Sequence, residues 1–374
     1  MSELKIALRS LRRARGYSLV VVLTLALGVG ANTAIFTLVN RVLWSQLPYH
    51  DAERLVSIWS SRTDRDKSPL SITDFEDFRR AGTHLADAAV FAPIGMNLTG
   101  TGEPERLQGV RSTANVFETL GVAAARGRVL MPADDGPNAS RVVVLSWRLW
   151  QRRFGGDDRL IGRSLLLNGE SHEVVGVLPK EFFFPIREAD FVVPLQPGTN
   201  PRRRDRGDHF LTGVGRLRPG ATAESVEMQL AAEARQLQRE YPTTNAKNNG
   251  ARVGSLGREI VGNVRIGLLV LSAAAALLLL MACASLANLS LARASARRRE
   301  FAIRGALGAG WLRLARQAVT EALIASMAGA VAAVLVAHWT LRLLLALSPS
   351  DLPMLEGAGI DAGSLACNFA LAAA

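Results

Sequence analysis

Three stretches of this 374-residue chain carry no charged side chain over the length that a membrane helix needs. They are 17–40, 266–292 and 322–341, of 24, 27 and 20 residues, each bracketed by charged residues. About 20 apolar residues cross a ~30 Å hydrocarbon core, so the pattern predicts three spanning helices, over 17–42, 264–292 and 317–341. A buried helix of a soluble core would show polar residues recurring through the run. The first stretch also has the basic start and the small residues Gly28, Gly30 and Ala31 of a cleaved signal. A signal's apolar region, about 7–15 residues, is much shorter, which favours an uncleaved anchor. A fourth apolar run opens at Ala362 and stops at Ala374 after 13 residues. Segment 362–374 is therefore read as the start of a fourth span, in the first part of a longer protein.

Between the first two spans, 43–263 alternates strand and helix signals, an α+β pattern. Segment 54–60 alternates apolar and polar positions as a strand does. Segment 71–80 has Ser71 or Thr73 as a helix cap and puts Ile72, Phe75 and Phe78 on one face. Segment 114–122 is a short helix ended by Gly121, 141–146 a buried strand, and 147–156 an amphipathic helix stopped by two glycines. Segment 163–179 is a hairpin turning at Asn168-Gly169. Segment 209–220 is a strand and 222–241 an amphipathic helix with Val226, Leu230 and Leu237 on one side. The expected fold is thus α-helical transmembrane segments plus an α+β extracytoplasmic domain between the first and second spans.

Charge orients this arrangement. The chain carries 44 Lys and Arg against 33 Asp and Glu, a net +11. Segment 1–16 holds +4 of that excess and 293–316 holds +6. Both adjoin apolar segments, the positive-inside signature rather than a nucleic-acid surface. Segments 1–16 and 293–316 are then cytoplasmic, 43–263 lies outside, and the acidic loop 342–361 lies outside as well.

Candidate chemistry is sparse. Cys283 and Cys367 both sit in apolar runs, and the five histidines lack close metal-ligand spacing, so no disulfide framework or zinc site is expected. None of the four lysines follows a glycine, which excludes a phosphate-binding GxxxxGK[ST] loop. No cofactor and no catalytic residue is expected in this chain. Asp74, Glu76 and Asp77 read as solvated helix residues, and Ser146 and Ser164 lack a histidine partner in any recognisable motif. The charged stretch 197–208 reads as a solvated loop, with contact to anionic lipid or substrate as the other possibility.

The cytoplasmic loop is more informative. Arg297, Glu300, Phe301, Arg304 and Leu307 fall on one helical face. One reading is a solvated loop in which Glu300 pairs with Arg297 and Arg304, each pair contributing about 0.2–0.5 kcal/mol. The other is a coupling helix that inserts Phe301 and Leu307 into a groove of a motor ATPase, with Glu300 and Arg304 setting register. In the third span Ala325, Gly329 and Ala333 recur every four residues and permit close helix approach. They suit a dimer seam or packing within the chain equally well. Glu321 lies near the membrane interface, where its side chain could snorkel; it is not read as a proton carrier.

Three blocks together carry a family resemblance: 7–43, ALRSLRRARGYSLVVVLTLALGVGANTAIFTLVNRVL; 105–130 with 142–179; and 292–326, ARASARRREFAIRGALGAGWLRLARQAVTEALIAS. The chain resembles the ABC transporter permeases of the MacB/FtsX superfamily over nearly its whole length. Its opening and the Pro48-Tyr49-His50-Asp51 turn look most like the N-terminal half of long permeases with a duplicated unit. The resemblance implies a periplasmic core domain of two lobes, the inserted one at about 115–200, in a bacterial inner membrane. It implies a separate ABC ATPase subunit holding ATP and Mg, because no nucleotide-binding domain precedes the first span as in MacB itself. A second permease unit, as homodimer partner or C-terminal duplicate, and a periplasmic adaptor are further implied partners. Export or extraction of substrate is the leading function, an FtsX-like regulator of a periplasmic hydrolase the second. A membrane receptor with a sensing ectodomain is the third, disfavoured because cytoplasmic segments of about 16 and 24 residues cannot hold a signalling domain. Nucleic acid is not an expected partner.

Overall fold

The structure is a computed structural model that describes residues 15–44, 47–184, 189–196, 199–296, 303 and 311–347. The chain divides into two compact units, Gln46–Asn263 and a unit made of Met1–Ser45 with Val264–Ala374.

The first unit is built on one large sheet. In chain order its elements are β1 (Leu55–Arg62), β2 (Arg65–Ser68), α2 (Ile72–Ala81), β3 (Leu85–Thr99), β4 (Glu105–Ser112), α3 (Val116–Leu120), β5 (Arg126–Gly127), β6 (Val142–Leu145), α4 (Trp147–Phe154), β7 (Ser164–Leu167), β8 (Glu170–Val177), β9 (Phe191–Pro194), β10 (Thr212–Leu217), α5 (Ala223–Glu240) and β11 (Asn248–Ser255). The strand order is β11-β1-β10-β3-β4-β9-β6-β8-β5, with β2 on β1 and β7 joining β3 and β8.

Local chemistry explains several of these boundaries. Ser71 accepts a hydrogen bond from Asp74 N at 3.1 Å and so caps α2. Ser146 does the same for α4 through Leu149 N, which gives that serine a structural role. Asn168 and Gly169 both take positive φ, 52° and 80°, as a two-residue hairpin turn requires. At Gly109 a Cβ would stand 2.4 Å from the Phe191 ring, so the parallel β4–β9 pairing needs glycine there.

Buried side chains form two clusters along the sheet. One joins Val56, Ile58, Phe75, Phe78, Leu211, Leu230 and Leu237, packing α2 and α5 on β1 and β10. The other joins Leu145, Leu149, Trp150, Leu165, Val177 and Phe191, and also takes in Met96, Leu98 and Leu107. Strand β3 threads both, since its first half pairs with β10 and its second half with β4.

The second unit contains three long helices, α1 (Arg15–Trp44), the larger part of α6 (Leu256–Ala296) and α7 (Trp311–Leu347). Within them Arg15–Asn40, Arg265–Ala296 and Val319–Leu343 are long and apolar enough to cross a membrane. Helix α6 follows β11 with no intervening residue and begins at Leu256, ahead of the expected span start at 264.

Candidate functional site

Helices α1 and α7 meet along two i, i+4 stripes. On α7 the stripe Glu321, Ala325, Ala333, Ala337 and Leu341 is buried, with Gly329 filling the gap in the series. On α1 Val21, Leu25, Val29, Thr33 and Thr37 are buried. A Cβ on Gly329 would lie 2.8 Å from Leu25 Cβ, and one on Gly30 only 2.7 Å from the Ala333 carbonyl oxygen. These contacts advance together along both chains, so α1 and α7 run parallel. Gly28 approaches Ala282 and Tyr17 approaches Arg293, so α6 runs the opposite way. The starts of α1 and α7 and the end of α6 therefore share one end. Thr33 resolves its own burial by donating to Val29 O at 2.8 Å.

That shared end is fastened by a polar clasp. Arg293 Nη2 donates to Glu321 Oε2 at 3.2 Å, and the guanidinium stacks 4.0 Å from the centre of the Tyr17 ring. Three helices thus meet on one guanidinium. Glu321 is 5% exposed and packs between the helices. Its partner lies 28 positions away on another helix, beyond the reach of any local pattern.

Arg297, Glu300, Phe301, Arg304 and Leu307 lie outside the described residues. Within that loop Ile303 is described, helical and 55% exposed. Ala325 and Ala333 are packed inside the chain against Val21, Leu25 and Val29.

The outer unit holds a second constellation, which sequence reasoning placed wrongly. Asp74 is 2% exposed and Asp77 7%, so these carboxylates are buried rather than solvated. The charged loop is their partner. Arg206 Nη1 donates to Asp74 Oδ1 at 2.6 Å and to Asp77 Oδ2 at 2.7 Å, and lies over the Tyr241 ring. Arg203 donates to Glu76 at 2.8 Å, and Arg202 pairs with Asp208 while covering Phe210. The stretch read as a solvated loop keeps Arg202 and Arg203 exposed, yet these two and Arg206 are tied down by acids and aromatic rings.

His209 completes the network. Its Nδ1 faces Gly207 O at 2.7 Å and its Nε2 faces Asp74 Oδ2 at 3.2 Å. Nδ1 thus meets an acceptor, while Nε2 lies between the Asp74 carboxylate and the Asn248 amide nitrogen at 3.1 Å. Burial works against charge on the ring, but the Asp74 and Gly207 oxygens outweigh it and raise the His209 pKa. Burial likewise opposes the Asp74 carboxylate, yet donors from His209, Asn245 and Arg206 hold its pKa below the usual value. Such a network orders a loop and performs no evident chemistry. Among the described residues no His, Cys, Asp and Glu group is arranged to hold a metal ion.

Comparison with known proteins agrees with this architecture. A family model described as the MacB-like periplasmic core domain matches residues 18–233, and one described as the FtsX-like permease C-terminal region matches 272–374. Two similar curated proteins are macrolide export ATP-binding/permease proteins MacB from two Campylobacter jejuni strains, each 24% identical and covering 90% of this chain. The chain spans about half the length of these relatives, 51% of each. Among solved structures, the periplasmic region of MacB from Actinobacillus actinomycetemcomitans matches 57% of this chain and 93% of its own, at 14% identity and a TM-score of 0.42. The extracellular domain of the noncanonic ABC-type transporter YknZ from Gram-positive bacteria matches 54% of this chain and 99% of its own, at 13% identity and a TM-score of 0.40. The chain belongs to the MacB/FtsX superfamily of ABC transporter permeases, with a MacB-like periplasmic core domain and an FtsX-like C-terminal region.

Proposed function

We propose that this chain is the permease subunit of a transporter in a bacterial inner membrane, coupling ATP hydrolysis by a separate cytoplasmic ATPase to motion of its periplasmic domain. The motion exports or extracts substrate that need not pass between the spans. The observation that carries this reading is helix α6, one unbroken helix of 41 residues. At about 1.5 Å per residue it is roughly 60 Å long. Its first residue follows β11 directly, and its last turn holds Arg293. A displacement applied to the loop after Ala296 would pass along α6 into the edge strand of the outer sheet. The clasp would keep α1 and α7 moving with it.

The receiving surface for the ATPase is the face of Arg297, Glu300, Phe301, Arg304 and Leu307. ATP and Mg belong to the ATPase, since this chain offers no lysine after a glycine to cradle phosphate. The MacB relatives are named as ATP-binding as well as permease proteins, which supports a motor of that class acting on this fold. A second permease unit would complete the assembly.

The test is retention of the ATPase in a pull-down. With Phe301→Ser and Leu307→Ser combined, the permease should insert normally, keep a protease-resistant outer domain and lose the ATPase. Anchors of this kind each cost about 2 kcal/mol or more in binding when removed. Full retention at matched expression and salt would refute the coupling role of this face.

A further inference from the structure

The outer unit contains a pocket that the transport reading does not use. Its volume is about 230 Å³, and it lies where the two buried clusters adjoin: Met96 and Val193 of one and Leu195 of the other line it. Arg111 of β4 also lines it, between the buried neighbours Val110 and Ser112. Among the described residues this half-buried guanidinium makes no hydrogen bond and no ion pair. The nearby carboxylate of Glu170 is engaged by Arg141 at 3.0 Å. Burial first, and then the neighbouring charge of Arg202, lower the Arg111 pKa, and the Glu170 charge offsets this only in part. The wall carries strain as well. Gln196 takes φ 49°, with its N–H held by Asp135 Oδ1 at 2.9 Å.

The lining is mixed, with Arg141, Glu170, His172 and Asn200 beside the apolar Met96, Val142 and Val193, and an unpaired guanidinium within it selects for a planar anion. Arginine presents a fork of N–H donors that matches a carboxylate in two parallel bonds. We propose that this pocket binds a small organic carboxylate. Its oxygens sit on the Arg111 guanidinium and its apolar part rests against Met96, Val142 and Val193.

The test uses the full chain in detergent and titrates benzoate, its uncharged analogue benzamide, and inorganic phosphate by calorimetry. Benzoate should bind saturably and benzamide at least about tenfold more weakly, as the loss of a charge-assisted bond requires. Arg111→Gln should weaken benzoate by at least about tenfold, yet melt no lower than wild type without ligand, because it removes an uncompensated charge. Thr199→Trp, on the exposed rim, should block benzoate with Arg111 intact, and it decides the matter if Arg111→Gln does not fold. Equal binding of benzoate and benzamide would overturn the proposal. So would unchanged benzoate binding by either folded variant, or no saturation at about 10 mM, already weaker than a millimolar site. Binding of phosphate in place of benzoate would make this an inorganic-anion site and overturn the carboxylate assignment.

Discussion

Arg293 and Glu321 meet at 3.2 Å between α6 and α7, with side chains only 16% and 7% exposed. The pair sits at the end of the bundle shared by the starts of α1 and α7 and the end of α6, with Tyr17 of α1 stacked on the same guanidinium. Removing one partner of a buried ion pair leaves a stranded charge and costs about 3–5 kcal/mol. Glu321→Ala should therefore lower the melting temperature of the detergent-solubilised chain sharply. The exchange Arg293→Glu with Glu321→Arg should recover part of the loss. A melting temperature unchanged in Glu321→Ala would mean that the clasp holds nothing.

Gly30 tests the close approach of α1 and α7. A methyl group there meets the Ala333 carbonyl oxygen at 2.7 Å, a backbone atom that cannot swing aside. Gly30→Ala should destabilise the bundle by about 1–3 kcal/mol, the usual range for overpacking. Gly267 is also in a span, but a Cβ there meets nothing within 4 Å. Gly267→Ala should stay within about 0.5 kcal/mol of wild type, as exposed substitutions do. Equal effects at the two sites would refute the seam.

The outer domain should show a pH window set by His209 and Asp74. The raised His209 pKa contributes stability that is complete below about pH 6.5, its unfolded value, and is lost as pH rises through the folded value. The lowered Asp74 pKa contributes stability that is complete above about pH 3.9 and is lost as pH falls through the folded value. Between those limits both contributions are present. Denaturant midpoints, followed by proteolysis of the outer domain, should decline from about pH 6 to pH 8.5. His209→Gln should abolish that decline, and a decline of equal size in the variant would assign it to other groups.

Sequence patterns revealed the elements whose causes are local. Ser71 as a cap, Gly121 as a helix stop, the Asn168-Gly169 turn and the three apolar helices all rest on neighbours within a few positions. Strands β2, β3, β4, β5, β9 and β11 were not legible. β11 reads NNGARVGS and becomes a strand by pairing with β1, about 190 positions away. The solvated reading of Asp74 and Asp77 failed for the same reason. Their partner Arg206 lies 132 and 129 positions further on, so a helix face that looked wet is covered by a loop. The pairing of Arg293 with Glu321 was not legible either, since the two lie 28 positions apart on different helices.

Under the proposed function, α6 carries motion from a cytoplasmic ATPase to the outer sheet. Gly262 lies on α6 ahead of the span, and its position is open, with nothing within 4 Å of an added Cβ. Inserting a Gly-Gly pair after it would add flexibility without filling packed space. The measurement is hydrogen exchange of the β11 amides in the permease–ATPase complex, with and without ATP. Wild type should show an ATP-dependent change in β11 exchange, and the insertion variant should hydrolyse ATP and lose that change. An ATP-dependent change of the same size in the insertion variant would contradict transmission through α6.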